Sequence, residues 1–205
     1  MCPKVSTQYK VDVKEKIVDA ALVTFSKYGY DRTRMDDIAE AAKVSKGRLY
    51  LYFKSKEELF YAISERNIRE LKEQLSTLFT KREHLISDAE NFYENFRSNK
   101  TTTDLEKVFF EIIAESSRNP KLRKMLYEQR IKIFDVVIEY LNSQMQRGLI
   151  KKDTTTTTTT NTKAIAAGLV SLYNGLSLSR LLGISETLNK QTWIDTVRAI
   201  FNGIG

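Results

Sequence analysis

The sequence predicts an all-α protein of about nine helices, and three observations carry that prediction. Only 2 Pro and 8 Gly occur among 205 residues, too few for the tight turns that a β-rich chain of this length consumes. Apolar residues recur at helical spacing through most of the chain. Capping residues stand at the ends of those periodic stretches. Hydrophobic residues make up 41% and charged residues 29%, the composition of a chain that buries a core. A chain this long does so without staples. The single Cys2 excludes an internal disulfide, and the single His84 leaves no common zinc cluster, so no metal or cofactor is expected. No apolar run approaches the ~18 residues of a membrane span. The stretch from Met1 to Lys16 is polar and lacks the apolar core of a signal peptide. The expectation is a cytoplasmic protein with no membrane partner.

The first helix is expected from Val13 to Tyr28, with Ile17, Ala21, Phe25 and Tyr28 as its apolar stripe. Gly29 suits the left-handed end of that helix. Thr33 is the expected N-cap of a short second helix, where Asp36 and Asp37 favour the positive end of the dipole. Met35, Ile38, Ala39 and Ala42 form its buried stripe, and Ala41 and Ala42 are small enough for close approach of a neighbouring helix. Ser45 caps a third helix, Lys46 to Phe53. Two short helices joined by a tight turn form a helix-turn-helix. Ser55 to Glu58 then matches a capping box and opens a long helix to about Thr80. The expected domains are residues 1–55 and 56–205, with this long helix as the link.

Lys81 to Arg97 reads as a helix with Leu85, Phe92 and Phe96 on one side, followed by a polar loop, Ser98 to Thr102. Thr103 and Glu106 form a second capping box before Leu105, Val108, Phe109, Ile112 and Ile113. Asn119 and Pro120 open another helix, which carries Leu122, Leu126, Ile133, Phe134, Val137 and Leu141 and ends at Gly148. The seven consecutive threonines Thr154 to Thr160 are β-branched and poor as helix interior, so a surface loop is expected there. The last two helices run from about Thr162 to Leu182 and from about Asn189 to Phe201. The first bears the small residues Ala164, Ala167, Gly168, Ser171 and Gly175.

The formal net charge of +7 chooses no partner until it is located. Residues 1–55 hold 11 basic and 7 acidic side chains, more than half of the excess. Between Glu40 and Glu57 there is no acid, while Lys43, Lys46, Arg48, Lys54 and Lys56 are interleaved with Tyr50, Tyr52 and Phe53. A charge run alone also suits a solvated helix face. Here it coincides with the helix pair, whose second member enters a major groove with its N-terminal residues at base edges. Those residues are Lys46, Gly47 and Arg48, and the expected partner is double-stranded DNA.

Residues 12–62 resemble the TetR family of bacterial and archaeal one-component regulators. The resemblance is carried by Phe25-Ser26-Lys27-Tyr28-Gly29-Tyr30, by Thr33-Arg34-Met35-Asp36-Asp37-Ile38-Ala39-Glu40-Ala41-Ala42, and by the run from Val44-Ser45-Lys46-Gly47-Arg48 through Tyr50-Leu51-Tyr52-Phe53 to Lys56-Glu57-Glu58-Leu59-Phe60. It implies a homodimer with an N-terminal three-helix DNA-binding domain and a C-terminal helical ligand-binding and dimerisation domain. Members are mostly repressors that leave a palindromic operator when a small effector binds. Position by position, it implies that Lys46, Gly47 and Arg48 face bases and that Thr33 and Arg34 touch phosphates. It implies that Tyr50, Tyr52, Lys54 and Lys56 hold the backbone, and that Leu51 meets a thymine methyl. Two departures stand out. Many members have a small Thr or Ser where Arg48 stands, and His is common where Tyr52 stands. Arg48 can pair bidentately with guanine or touch a phosphate instead. Tyr50 and Tyr52 also suit the small domain's core.

In the resembled family the final two helices pair with those of a second subunit. That reading puts Ala167, Ser171, Leu172, Trp193, Val197 and Ile200 at a dimer interface, against an ordinary intramolecular core as the alternative. An effector pocket is expected from Phe92, Phe96, Phe109, Ile113, Tyr127, Arg130, Phe134 and Tyr173, since apolar pockets between helices suit apolar ligands. Core packing explains the same aromatics. Residues 118–132 hold Arg118, Lys121, Arg123, Lys124, Arg130 and Lys132 against Glu128 alone. An amphipathic effector with an anionic head, such as a fatty acyl-CoA, would use both features; a solvated basic face would use neither. An enzyme is not expected, because no nucleophile pattern surrounds His84 and no phosphate-binding glycine loop occurs. An architectural DNA-binding protein without effector is the other competing reading.

Overall fold

The helices predicted from periodicity appear in the structure, a computed structural model that describes residues 7–78, 81–98, 100–149 and 158–202. Among the described residues there are nine α-helices: α1 Thr7–Tyr28, α2 Met35–Ala41, α3 Lys46–Tyr52, α4 Lys56–Thr77, α5 Leu85–Ser98, α6 Lys100–Ser116, α7 Pro120–Gln146, α8 Thr158–Leu181 and α9 Glu186–Asn202. One 3-10 turn, Arg82–His84, precedes α5. The all-α expectation holds. Ser45 caps α3 by accepting from Arg48 N at 3.2 Å, and Asn119 caps α7 by accepting from Leu122 N at 3.1 Å.

Three local readings need correction. The polar segment expected as a loop at Ser98 to Thr102 is mostly helix, since α6 begins at Lys100; Thr103 and Glu106, the expected capping box, therefore lie within α6, where Glu106 and Asp104 are buried. Thr158 to Thr160 belong to the first turn of α8, where hydrogen bonds propagated from the apolar body of the helix outweigh weak propensity. The other four threonines of the run lie outside the described residues. Tyr28 is exposed; the buried stripe of α1 runs instead through Val13, Ile17, Ala21 and Phe25, with Val18 and Leu22 beside it.

The chain forms two compact units, residues 1–67 with 101–129, and residues 68–100 with 130–205. The core of the first contains Ile17, Ala21 and Phe25 of α1, Ile38 of α2, Leu49 of α3, Leu59, Phe60 and Ile63 of α4, Val108 and Ile112 of α6, and Leu122 of α7. Each such side chain contributes roughly 1.5–3 kcal/mol by leaving water. Helix α6 and the start of α7 thus pack in the same unit as the helix-turn-helix. A division of the chain at residue 55 follows the order of the elements, whereas the packing follows another line. The second unit has its own core, with Phe92 and Tyr93 of α5, Val137 and Leu141 of α7, Ala166 and Val170 of α8, and Trp193, Ile194 and Val197 of α9.

Candidate nucleic-acid interface

The presentation of α3 starts with the turn before α2. Thr33 is only 2% exposed, and its hydroxyl donates to the Gly29 carbonyl at 2.7 Å. It is neither the N-cap nor placed to touch a phosphate. Arg34 takes the cap position, and its backbone N–H donates to Asp37 Oδ2 at 2.8 Å. Between α2 and α3, Lys43 adopts φ 54°, a left-handed conformation that costs a residue with a Cβ. It lets Val44 N reach Ala39 O at 3.0 Å and turns the chain into α3.

Helix α3 has two sides. Leu49 is fully buried, and Tyr52 packs half-buried against the same core, so part of the expected backbone-holding role of Tyr52 is structural. Lys46, Gly47, Arg48 and Leu51 are exposed, Leu51 to 78%. An apolar side chain so bare on a short helix fits contact with a thymine methyl. A Cβ at Gly47 would meet nothing within 4 Å, so nothing in the subunit requires glycine there. Lys46 Nζ donates to Asp36 Oδ2 at 2.8 Å, which holds its ammonium above the ordinary lysine range. Both side chains are more than half exposed, and water screens the pair. The Arg48 guanidinium lies 5.6 Å from the centre of the Tyr9 ring.

The basic residues after α3 divide. Lys54 is exposed; its ammonium folds back to the Tyr50 carbonyl, and its N–H donates to Glu58 Oε2 at 2.6 Å. Ser55 Oγ accepts from Glu58 N at 3.4 Å and so caps α4. Lys56 turns inward. Its Nζ donates to the carbonyls of Tyr30 at 2.6 Å and Asp31 at 2.8 Å and sits 4.7 Å over the Tyr30 ring. Two of its three donors are thereby spent inside the unit, which gives Lys56 a structural role beside the phosphate contact expected of it. From α6, Glu111 Oε1 accepts from Asp31 N at 3.3 Å, and Asp104 Oδ1 accepts from the Ser26 hydroxyl at 2.6 Å. Asp104 and Glu111 stand two helical turns apart on one face, a spacing visible in the sequence and easily missed there. Burial, with Glu57 and Glu115 nearby, pushes the Tyr30 phenol well above its ordinary range. Burial also acts against the Glu57 carboxylate, but hydrogen bonds from Ser55 and its own backbone, with the charges of Lys121 and Lys56, hold it below its usual value.

The residues expected at a pocket or dimer face also divide. Phe92 stacks on Trp193 at 5.3 Å and 18°, and Trp193 Nε1 donates to the Ala89 carbonyl at 3.0 Å. Trp193 and Val197 therefore belong to the interior of one subunit, because their burial needs no second chain. Leu172 and Ile200 are half-buried against the same core, whereas Ala167 and Ser171 are exposed. Of the pocket candidates, Phe109, Ile113 and Tyr127 lie in the first unit, and Phe92, Arg130, Phe134 and Tyr173 in the second. Ile113 at 43% and Tyr127 at 66% are exposed, so neither lines a closed cavity within its unit. Arg130 places its guanidinium 4.9 Å over the Phe134 ring, and burial lowers its pKa. The side chain of Phe96 lies outside the described residues. Periodicity did not mark the buried amide Gln129, which donates to Glu65 Oε1 at 3.0 Å.

Residues 17–63 match the family described as bacterial regulatory proteins, tetR family. The chain is 32% identical over 155 residues to the uncharacterized HTH-type transcriptional regulator YfiR of Bacillus subtilis, covering 73% of this chain and 71% of that protein. Two solved structures share the fold. Salmonella enterica GusR superposes with a TM-score of 0.71 at 20% identity, over 98% of this chain and 100% of that one. FadR from Bacillus subtilis in complex with stearoyl-CoA superposes with a TM-score of 0.66 at 19% identity, over 93% and 99%. The exposed basic start of α3, the capped helices that hold it and this similarity along most of the chain lead to one conclusion: the protein belongs to the TetR family of helix-turn-helix transcriptional regulators.

Proposed function

We propose that the protein is a homodimeric repressor that binds a palindromic operator and leaves it when a hydrophobic or amphipathic effector binds. The observation that carries the DNA contact is the two-sided α3, anchored through Leu49 while Lys46, Gly47, Arg48 and Leu51 stand bare. These four would meet base edges, and Gly47 would allow close approach of the helix to the groove. Arg34, Tyr50 and Lys54 would hold phosphates. Thr33 and Lys56 serve the scaffold in this reading. Selection of bound fragments from genomic DNA tests it. The expected product is a palindrome whose half-sites lie about 34–36 Å apart, or a multiple of that. Uniform coating with no sequence preference would favour an architectural protein and end the operator reading.

Dimerisation is supported by α8. Ala164, Ala167, Gly168, Ser171, Gly175 and Leu178 are all exposed and recur at helical spacing, so one stripe of small and apolar side chains faces away from the core. Such a stripe permits close, self-complementary approach of a second copy. An acyl-CoA is the first effector to test. The FadR complex with stearoyl-CoA shows a protein of this fold holding one, and residues 118–132 of this chain offer basic side chains for an anionic head. Release follows from linkage, since a ligand lowers DNA affinity by its preference for the dimer form that fits DNA less well. A rise in melting temperature with long-chain acyl-CoA, and loss of operator binding that free CoA does not cause, would support this effector. No shift with any acyl-CoA would remove it.

A further inference from the structure

The two basic side chains at the start of α3 are held in different ways. Lys46 is paired with the Asp36 carboxylate of α2 at 2.8 Å. Among the described residues no carboxylate pairs with Arg48; its partner is the ring of Tyr9, in the first turn of α1, 5.6 Å from the guanidinium. Further along α1, Lys14 Nζ lies 5.9 Å from the ring centre of Phe53, the residue that caps the C-terminal end of α3. Through these two contacts long side chains of α1 reach the start of α3 and its C-cap, Tyr9 meeting Arg48 and Lys14 meeting Phe53. Tyr9 is 42% exposed, and Arg48 is exposed as well, so both lie at the surface that α3 presents.

The chemistry of the two partners differs. A carboxylate occupies N–H donors and cancels charge. A ring face attracts the guanidinium through its π-electrons and leaves the in-plane N–H edge open. An arginine held this way has lost rotamer freedom before binding and keeps the donors that a guanine O6 and N7 accept. We infer that Tyr9, outside the helix-turn-helix, is a positioning residue that fixes which base edge Arg48 reads. The inference rests on the DNA-binding reading above and adds a specificity element on α1.

The test is a double-mutant cycle between Tyr9→Ala and Arg48→Ala. Affinity is measured on the duplex recovered by genomic selection and on variants of it at each half-site position. Tyr9→Ala is expected to weaken the preference for guanine at one position by about two- to five-fold, the scale of an exposed cation–π contact. Arg48→Ala should abolish the preference at that same position and make Tyr9→Ala silent. Tyr9→Phe keeps the ring and should behave as the parent protein. Three results would overturn the inference. Tyr9→Phe could lose as much as Tyr9→Ala, which would assign the effect to the hydroxyl. The Tyr9 effect could persist in the Arg48→Ala background. Arg48→Ala could weaken all sequences equally, which would remove base reading by Arg48 yet leave sequence-specific binding through Lys46 and Leu51 intact. If no variant or parent protein prefers any sequence, the DNA-operator reading itself fails. Circular dichroism melting of each variant controls for folding.

Discussion

Thr33 and Lys56 both make hydrogen bonds inside the first unit, Thr33 through its hydroxyl and Lys56 through two of its three ammonium donors. Thr33→Val removes the part-buried bond to Gly29 O and should cost about 1 kcal/mol of stability, read as a lower denaturation midpoint. Lys56→Met removes two charge-assisted bonds to Tyr30 O and Asp31 O. It should lower the melting temperature while the salt dependence of DNA binding stays the same. A phosphate contact would instead reduce that slope by about 1 per lysine. Lys43 invites the opposite change. With φ at 54°, Lys43→Gly should stabilise the protein by roughly 0.5–1 kcal/mol, the left-handed cost to a Cβ less the chain entropy of glycine. The sequence gives no sign of that conformation, since lysine is an ordinary helix residue and the strain arises only where α2 must end and α3 must start.

Helix α6 shows what packing adds to a list of helices. It supplies Val108 and Ile112 to the core beneath the helix-turn-helix, and its Asp104 and Glu111 hold Ser26 and the backbone at Asp31. Replacing both carboxylates by alanine should speed amide hydrogen exchange around Gly29 to Arg32 while α8 and α9 keep their protection. Gly29 itself has φ 89°, and a Cβ there would lie 3.0 Å from Glu111 Oε1, so the turn and α6 constrain each other. In the second unit Trp193 joins α9 to α5 by its stack on Phe92 and its bond to Ala89 O. Trp193→Ala should cost about 3–5 kcal/mol through the cavity it leaves, measured by urea unfolding. The apolar pattern of α9 marked Trp193 as an inward or interface residue alike. Only the contacts decide, because burial within a subunit and burial between subunits require the same chemistry.

For the assembled protein, the exposed stripe of α8 makes the clearest prediction. A Cβ at Gly168 would meet nothing within 4 Å in the subunit, so Gly168→Arg should leave the subunit folded. It should halve the sedimenting mass from a dimer of 23.7 kDa chains and weaken binding to a palindrome far more than to a single half-site. A parent protein that sediments as a monomer at micromolar concentration would sink the dimer reading.

The order of the helices, the caps at Ser45, Ser55 and Asn119, and the acid-free basic stretch around α3 were legible in the chain, because periodicity, capping and charge are local properties. The place of Lys46, Gly47 and Arg48 at the start of α3 followed from the same local pattern, and the structure leaves all three exposed. The roles of Thr33, Lys56, Trp193 and Val197 did not, and neither did the approach of Tyr9 to Arg48. Each depends on which distant side chain or carbonyl comes within hydrogen-bond or van der Waals reach. That is settled when whole helices pack, since a hydroxyl, an ammonium or an indole has equal chemical aptitude for the interior and for a partner.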